Sequence, residues 1–371
     1  MKKLRIAFLS LALALGLQSA LYSQLSDVSF LKGGPADAQA LFQEYLTPYA
    51  NIFGADLNAG WYNSGKVHKL GGFDLTVTVN TAWAPPSART FDVSKLSLSP
   101  GATFIGGPTS PTIAGKRSIA PPTVQYFETI PGYPAVKIAE FELPKGTGVN
   151  MIPLPMAQLT IGLPFGTDVS VRYLPTLPLG DAGNIGLWGV GGRHSILQHI
   201  PALKRLPVLD ITAQGGYTKL TTFANLNYDP ASLSSTAAPV LDRTDPMNTK
   251  IFDNQKLVME ASSWTINLIV SETLPIISFY QAIGYASSSV EMGLNGYYPF
   301  PSIATTGPDA GKAVVTDADV KKDPLQFKMQ NNKDLRLNAG FRLKLGVLTI
   351  HFDYTKANYS VFTTGLGISF R

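Results

Sequence analysis

Four histidines and no cysteine among 371 residues leave few groups able to do chemistry. His194-Ser195 sets a base beside a hydroxyl nucleophile, a pairing that would suit ester hydrolysis at a lipid boundary. In a strand, however, sequence neighbours point to opposite faces, so His194 cannot take the Ser195 proton. Asp210 or His351 would have to complete such a site from another strand. No cluster has metal-ligand spacing and no glycine motif has the phosphate-cradling pattern; Gly189-Val-Gly-Gly192 reads as small residues in a strand. No catalytic residue, metal or cofactor is therefore expected, and a lipid hydrolase is the remotest of the readings below.

A second set of residues is more informative. Asp74, Asp168, Arg172, Asp210, Glu260, Arg336, Arg342, Lys344 and Asp353 fall in segments of alternating polarity and are expected to face inward together. Mixed charge inside a closed sheet does one of two things: it walls a path for a solute, or it holds an internal segment in place.

The elements that would position these residues are strands. Leu335, Leu337, Ala339, Phe341, Leu343 and Leu345 alternate with Arg336, Asn338, Gly340, Arg342 and Lys344. A helix would scatter those charges all round, whereas a strand separates them onto one face. The same period runs through Phe73 to Thr81, Asp168 to Tyr173 and Leu348 to Thr355, over the ~9 to 11 residues with which a tilted strand crosses a membrane. The expected strands are 54–63, 72–83, 155–164, 167–176, 184–194, 207–223, 255–271, 276–298, 334–345, 347–356 and 358–371. An odd count conflicts with a single-chain barrel whose ends lie on one side. Val136, Ile138 and Phe141 mark the best remaining stretch, and about twelve strands, within a range of 10 to 14, are expected.

Composition agrees with a membrane barrel. Only 15% of residues are charged, while 34 glycines and 27 prolines supply turns. Lys2, Lys3 and Arg5 precede an apolar stretch from Ile6 to Leu17, with Ser19, Ala20 and Ser23 after it, the pattern of a cleaved signal peptide over residues 1–23. Removing it lowers the formal charge of +5 to +2, so the basic pI is no argument for nucleic acid. Long polar stretches at 224–254 and 299–333 are expected outside the cell, opposite tight turns at Leu274-Pro275 and Gly346. The stretch 85–153 is a third long loop, its side of the membrane left open. Tryptophans and tyrosines near strand ends, Trp61, Tyr62, Trp83, Trp188, Tyr280, Tyr297, Tyr298, Tyr354 and Tyr359, suit headgroup girdles.

Two helices are expected as well. One spans 35–47, from Pro35 to a stop at Pro48, within an N-terminal segment (24–53) that plugs the barrel or lies beneath it. The other is an amphipathic helix at 195–206 on the periplasmic side. The barrel itself is expected over 54–371.

The C-terminal Gly365-Leu-Gly-Ile-Ser-Phe-Arg371 is similar to the closing strand through which outer-membrane barrels engage their assembly machinery, with Arg371 in place of a terminal aromatic. Gly33-Gly-Pro-Ala-Asp-Ala38, Gly72-Phe-Asp-Leu-Thr-Val77, Ile152-Pro-Leu-Pro155, Leu187-Trp-Gly-Val-Gly191 and Ile200-Pro-Ala-Leu-Lys204 resemble an uncharacterised family of Gram-negative outer-membrane proteins, a domain of unknown function. A looser likeness, at the level of fold alone, is to the long-chain fatty-acid transporter (FadL) class of barrels. The resemblance implies an exported, lipid-embedded, porin-like barrel of the Gram-negative outer membrane. The leading functional expectation is transport of a small solute, hydrophobic cargo included, through a partly plugged lumen. The alternative is a structural barrel that docks a surface or secretion assembly.

Overall fold

The computed structural model describes residues 29–370 except 129–134, 179–182, 203–205, 207, 227–251, 253, 301, 305, 308–312 and 315. The expected signal peptide and most of the stretch 224–254 lie outside the described residues. Ten strands close into one antiparallel barrel: β1 (Phe73–Trp83), β2 (Met151–Leu163), β3 (Thr167–Pro178), β4 (Asn184–Ser195), β5 (Leu209–Asn225), β6 (Lys256–Thr273), β7 (Ile277–Asn295), β8 (Leu325–Leu345), β9 (Leu348–Lys356) and β10 (Val361–Phe370). Each pairs with its neighbours in the chain, and β1 closes on β10 with Phe73 opposite Phe370.

The alternation works as a sorting rule. On β1, Leu75 and Val77 are exposed on the outer face while Asp74, Thr76, Thr78 and Asn80 are buried inside; on β8, Leu335, Leu337 and Phe341 face out while Arg336, Asn338 and Arg342 face in. A band of exposed leucine, isoleucine, valine and phenylalanine thus surrounds the barrel, far beyond what a water-facing surface carries, and it needs lipid. An aromatic girdle closes its upper edge: Trp188 against Tyr217 (5.8 Å), Trp264 against Tyr285 (5.7 Å) and Trp83 stacked on Tyr354 (5.9 Å). From Trp264 to Leu274 the chain advances ten residues, which at ~3.3 Å each and ~40° tilt is about 25 Å of membrane.

One end of the barrel has three tight connections, such as those from Leu163 to Thr167 and from Leu345 to Leu348, and one of moderate length between Ser195 and Leu209; the other carries the long excursions 84–150, 226–255 and 296–324. By that asymmetry the short end is periplasmic. Segment 84–150, whose side the sequence left open, is external. Strands β5 to β8 run for 17 to 21 residues and rise above the membrane as a high wall, whereas β9 and β10 have 9 and 10.

Several expectations change here. Residues 54–63 are not a strand, so the odd count of eleven becomes ten by losing a member rather than gaining one. Val136–Glu142 is a strand, but it belongs to an external three-stranded sheet with Ala102–Ile105 and Thr123–Glu128. The loop expected to end at 333 ends where β8 begins, at Leu325. At 195–206 the described residues hold one 3₁₀ turn, Leu197–His199, in place of an amphipathic helix.

The N-terminal helix, α1 (Pro35–Asn58), is the largest departure, because it continues through Pro48 for nearly three more turns. Proline inside a helix costs about 3 kcal/mol. Leu41, Phe42, Tyr45, Leu46, Ile52 and Leu57 are each 2% exposed or less, and burying a side chain of this size returns roughly 1.5 to 3 kcal/mol, so packing outweighs the break. Thr47 Oγ1 also donates to the Gln43 carbonyl (2.7 Å), one turn back.

Candidate functional site: the filled lumen

Helix α1 enters from the external end. Its first turn is held there by Asp37, whose carboxylate accepts from the Ser99 amide (2.9 Å) and hydroxyl (3.0 Å), an acid placed where the helix dipole favours it. Tyr45 donates to the Lys145 carbonyl (2.9 Å) and Tyr49 to that of Val149 (3.0 Å). Around this half of the helix the interior is apolar: Leu220, Met259, Val290, Met292, Leu325 and Met329 of the high wall meet Val93, Ile113, Val124 and Phe141 of the external excursion. The core of the protein therefore lies above the membrane.

At membrane depth the interior becomes polar. The last turn of α1 leaves carbonyls without helical partners, and the wall supplies donors. Arg172 Nη1 donates to the Leu57 carbonyl (3.1 Å) and Nη2 to that of Ala59 (2.7 Å), while its Nε donates to Gln158 Oε1 (2.8 Å) and its guanidinium lies over the Trp61 ring at 3.6 Å. Arg336 Nη1 donates to the Asn58 carbonyl (2.7 Å), and Asn80 Nδ2 to those of Asp56 (2.7 Å) and Ala59 (3.1 Å). Two cations and an amide thus cap the negative end of the helix.

Beyond Ala59 the chain descends as an irregular segment to the periplasmic rim, where Gly72 begins the approach to β1. Irregular backbone at this depth requires polar neighbours. Gln158 donates to the Trp61 carbonyl (3.2 Å), Arg193 Nη1 to that of Ser64 (2.7 Å) and Thr212 to that of Gly65 (2.5 Å), while the Gly65 amide donates to Ser271 (3.0 Å) and the His68 amide to Asp168 (2.9 Å). The wall charges neutralise one another around it. Arg193 also pairs with Asp168, and Arg342 bridges Asp74 (3.0 Å) and Asn63 Oδ1 (2.9 Å). Asp353 accepts from Asn338 (2.7 Å) and Tyr280 (3.1 Å). Among the described residues two voids of about 10 Å³ flank this segment, one lined by Asn63, Asp74, Arg193 and His351 and the other by Asn58, Arg336, Asn338 and Asp353, each with room for about one water.

Of the nine residues expected to face inward, Asp74, Asp168, Arg172, Arg336, Arg342 and Asp353 are buried and form these networks. Asp210 lies on the inward register at the periplasmic rim, where Thr273 donates to it (2.8 Å), and Lys344 shares the inward side of β8 with Arg342. Glu260 is placed otherwise. It shares the outer face of β6 with Trp264 and Ile266 and pairs with Lys219 (2.8 Å), while Met259 and Ala261 point in. Above the girdle the outer face also meets water, so polarity no longer marks the inside.

His194 lies on the outer face of β4, whereas Ser195, Asp210 and His351 face the lumen, so His194 cannot serve Ser195 as a base. Asn63, His68, Gln158 and Arg193, which carry much of the network, were not singled out from the sequence, and Trp61, expected in a headgroup girdle, is instead 2% exposed inside the lumen because residues 54–63 are no strand. For Trp61 the glycines carry a signal: a Cβ at Gly191 or Gly216 would stand 2.6 or 2.4 Å from its ring. Glycines facing inward on adjacent strands record a large group lodged between them.

Residues 1–370 match the model of a family of unknown function (DUF6588). No curated protein matches the chain. Among solved structures it is similar to OprG from Pseudomonas aeruginosa (13% identity, TM-score 0.29, 82% of this chain and 99% of that one) and to the KdgM porin (10%, 0.22, 58% and 93%). The translocator domain of the autotransporter NalP from Neisseria meningitidis is 7% identical over 89% of this chain and 98% of that one, at a TM-score of 0.28. Scores of this size carry no inference about activity.

Proposed function

The chain belongs to the family of unknown function DUF6588, and from that premise we propose that it is a closed barrel of the Gram-negative outer membrane that displays a folded external module. The module is built from the first half of α1, the excursion 84–150 and the high wall of β5 to β8, and its role is to dock a surface or secretion assembly. The barrel anchors it in lipid, and the outward Leu366, Ile368 and Phe370 of the last strand would face the assembly machinery during insertion. What carries this reading is the helix cap: a segment whose carbonyls are held by Arg172, Arg336 and Asn80 is a fixed part of the wall rather than a gate.

Uptake of a small solute is the second reading, favoured by one observation. The wall at membrane depth is polar and charged, so a lumen emptied of residues 35–72 would be a wettable bore. Conductance of the full chain in planar bilayers separates the two. The docking reading expects no sustained current; stepwise openings of the unmodified protein at modest voltage would replace it with transport.

A further inference from the structure

At the periplasmic rim, outside the network that fixes the plug, two histidines meet. His194, at the end of β4, and His199, in the 3₁₀ turn that follows, bring their Nε2 atoms to 3.0 Å with rings stacked at 5.3 Å and 26°. The Gln198 amide lies 3.0 Å from the same His194 nitrogen and donates to the Phe165 carbonyl (2.9 Å). His199 is open to solvent, and Phe165 beside it is 87% exposed at the membrane edge.

We propose that His194 and His199 form a binding site for a borderline divalent ion of the zinc, nickel or copper(II) class. With metal–nitrogen bonds of about 2.0 to 2.1 Å, two neighbouring ligands stand about 2.9 Å apart at a right angle and about 3.3 Å apart at the tetrahedral angle. The observed separation falls between these values. His194 Nδ1 is 2.9 Å from Thr167 Oγ1, its partner across β3 and β4; donating there, Nδ1 holds the proton and leaves Nε2 with its lone pair toward His199. The Gln198 amide keeps its bond to the Phe165 carbonyl and yields the His194 lone pair to the ion, and water completes the shell from the open side. Imidazole pairs without an ion can share one proton at this distance, and the experiment distinguishes that arrangement from the proposed site.

The untagged full chain, washed with EDTA in detergent, would be titrated with copper(II) alone and read by calorimetry and by paramagnetic resonance. One ion per chain with nitrogen hyperfine structure is expected. His194→Asn and His199→Asn should each weaken binding about tenfold or more, and Thr167→Val by about tenfold through loss of the orienting bond. All three should keep the migration of a folded barrel on unheated gels, since none touches the plug. Wild-type protein that takes up no stoichiometric copper overturns the proposal. So does binding undiminished in both histidine variants, which would put the ion elsewhere.

Discussion

Replacing Arg172 by methionine keeps the stem against Trp61 and removes the guanidinium that caps α1. Three hydrogen bonds disappear, at 2.7, 2.8 and 3.1 Å. Bonds to a charged group are worth roughly 1.5 to 3 kcal/mol each, which would give five or more, but burying the cation costs several kcal/mol that the variant recovers. The carbonyls left behind keep partial partners, because Asn80 still donates to Ala59 and Thr218 to Leu57 (3.3 Å). The net expectation is about 2 to 4 kcal/mol, a fall of roughly 30- to 1,000-fold in the folding constant. Reversible urea unfolding in lipid vesicles, followed by tryptophan emission, measures it. Arg172→Met paired with Arg336→Met should cost less than the two singles combined, since both cap one helix end. A loss below about 0.5 kcal/mol, or strict additivity in the pair, would refute the view that the lumen charges hold the plug.

Three further outcomes are expected. Leu337→Arg, on the lipid face of β8, should cost roughly 2 to 4 kcal/mol in the same assay, whereas Glu260→Gln, outside and above the girdle, should stay within about 0.5 kcal/mol; equal losses would break the assigned register. Because the chain has no cysteine, Ala36→Cys, exposed at the start of α1, should react with a membrane-impermeant maleimide on intact cells, while Val347→Cys in the β8–β9 turn should react only after the membrane is opened; the reverse pattern would turn the barrel over. Gly191→Ala should cost roughly 1 to 3 kcal/mol by pushing on Trp61, with part of the loss recovered in a Trp61→Phe background, and no recovery would mean that the glycine serves β4 alone.

Much of the barrel was legible because one physical rule, a two-residue period between lipid and interior, acts alone along each span. Leu337 and Arg336 answer to it directly. Where a second environment enters, the rule loses its meaning. Glu260 stands above the membrane, where both faces tolerate polarity, and Val136–Glu142 alternates as part of an external sheet. Residues 54–63 failed for a different reason. Their polar and apolar residues serve a helix end and a descending coil inside the lumen, and local sequence cannot say that a barrel will surround them. Pro48 misled in the same way, since a stop signal is a local cost and the burial that overrides it is supplied by strands up to about 300 residues away, such as Phe327 against Phe42. The inward placement of Asp74, Arg172 and Arg342 could be read from periodicity. Their partners could not, because the backbone carbonyls of Leu57 and Ala59 leave no mark in the residue types.

The change from apolar to polar interior and the change from helix to coil occur at the same place, and each explains the other. A helix satisfies its own backbone, so between residues 35 and 58 the surrounding wall has only to pack, and Leu220, Met259, Val290 and Met329 do so. After Asn58 the chain no longer pairs its backbone turn by turn, so the wall must hydrogen-bond it, and Gln158, Arg193, Thr212 and Ser271 take over. The junction needs cations because the helix ends there with its carbonyls pointing down the bore, and Arg172 and Arg336 stand at that level on strands some distance apart around the barrel. A lumen designed for passage would keep its charges solvated and their positions independent of any internal chain. Here the positions follow backbone groups of residues 56–68, from the Asp56 carbonyl to the His68 amide, which is why the polar wall, the feature that first suggested a solute path, argues for a barrel that holds its own N-terminal segment.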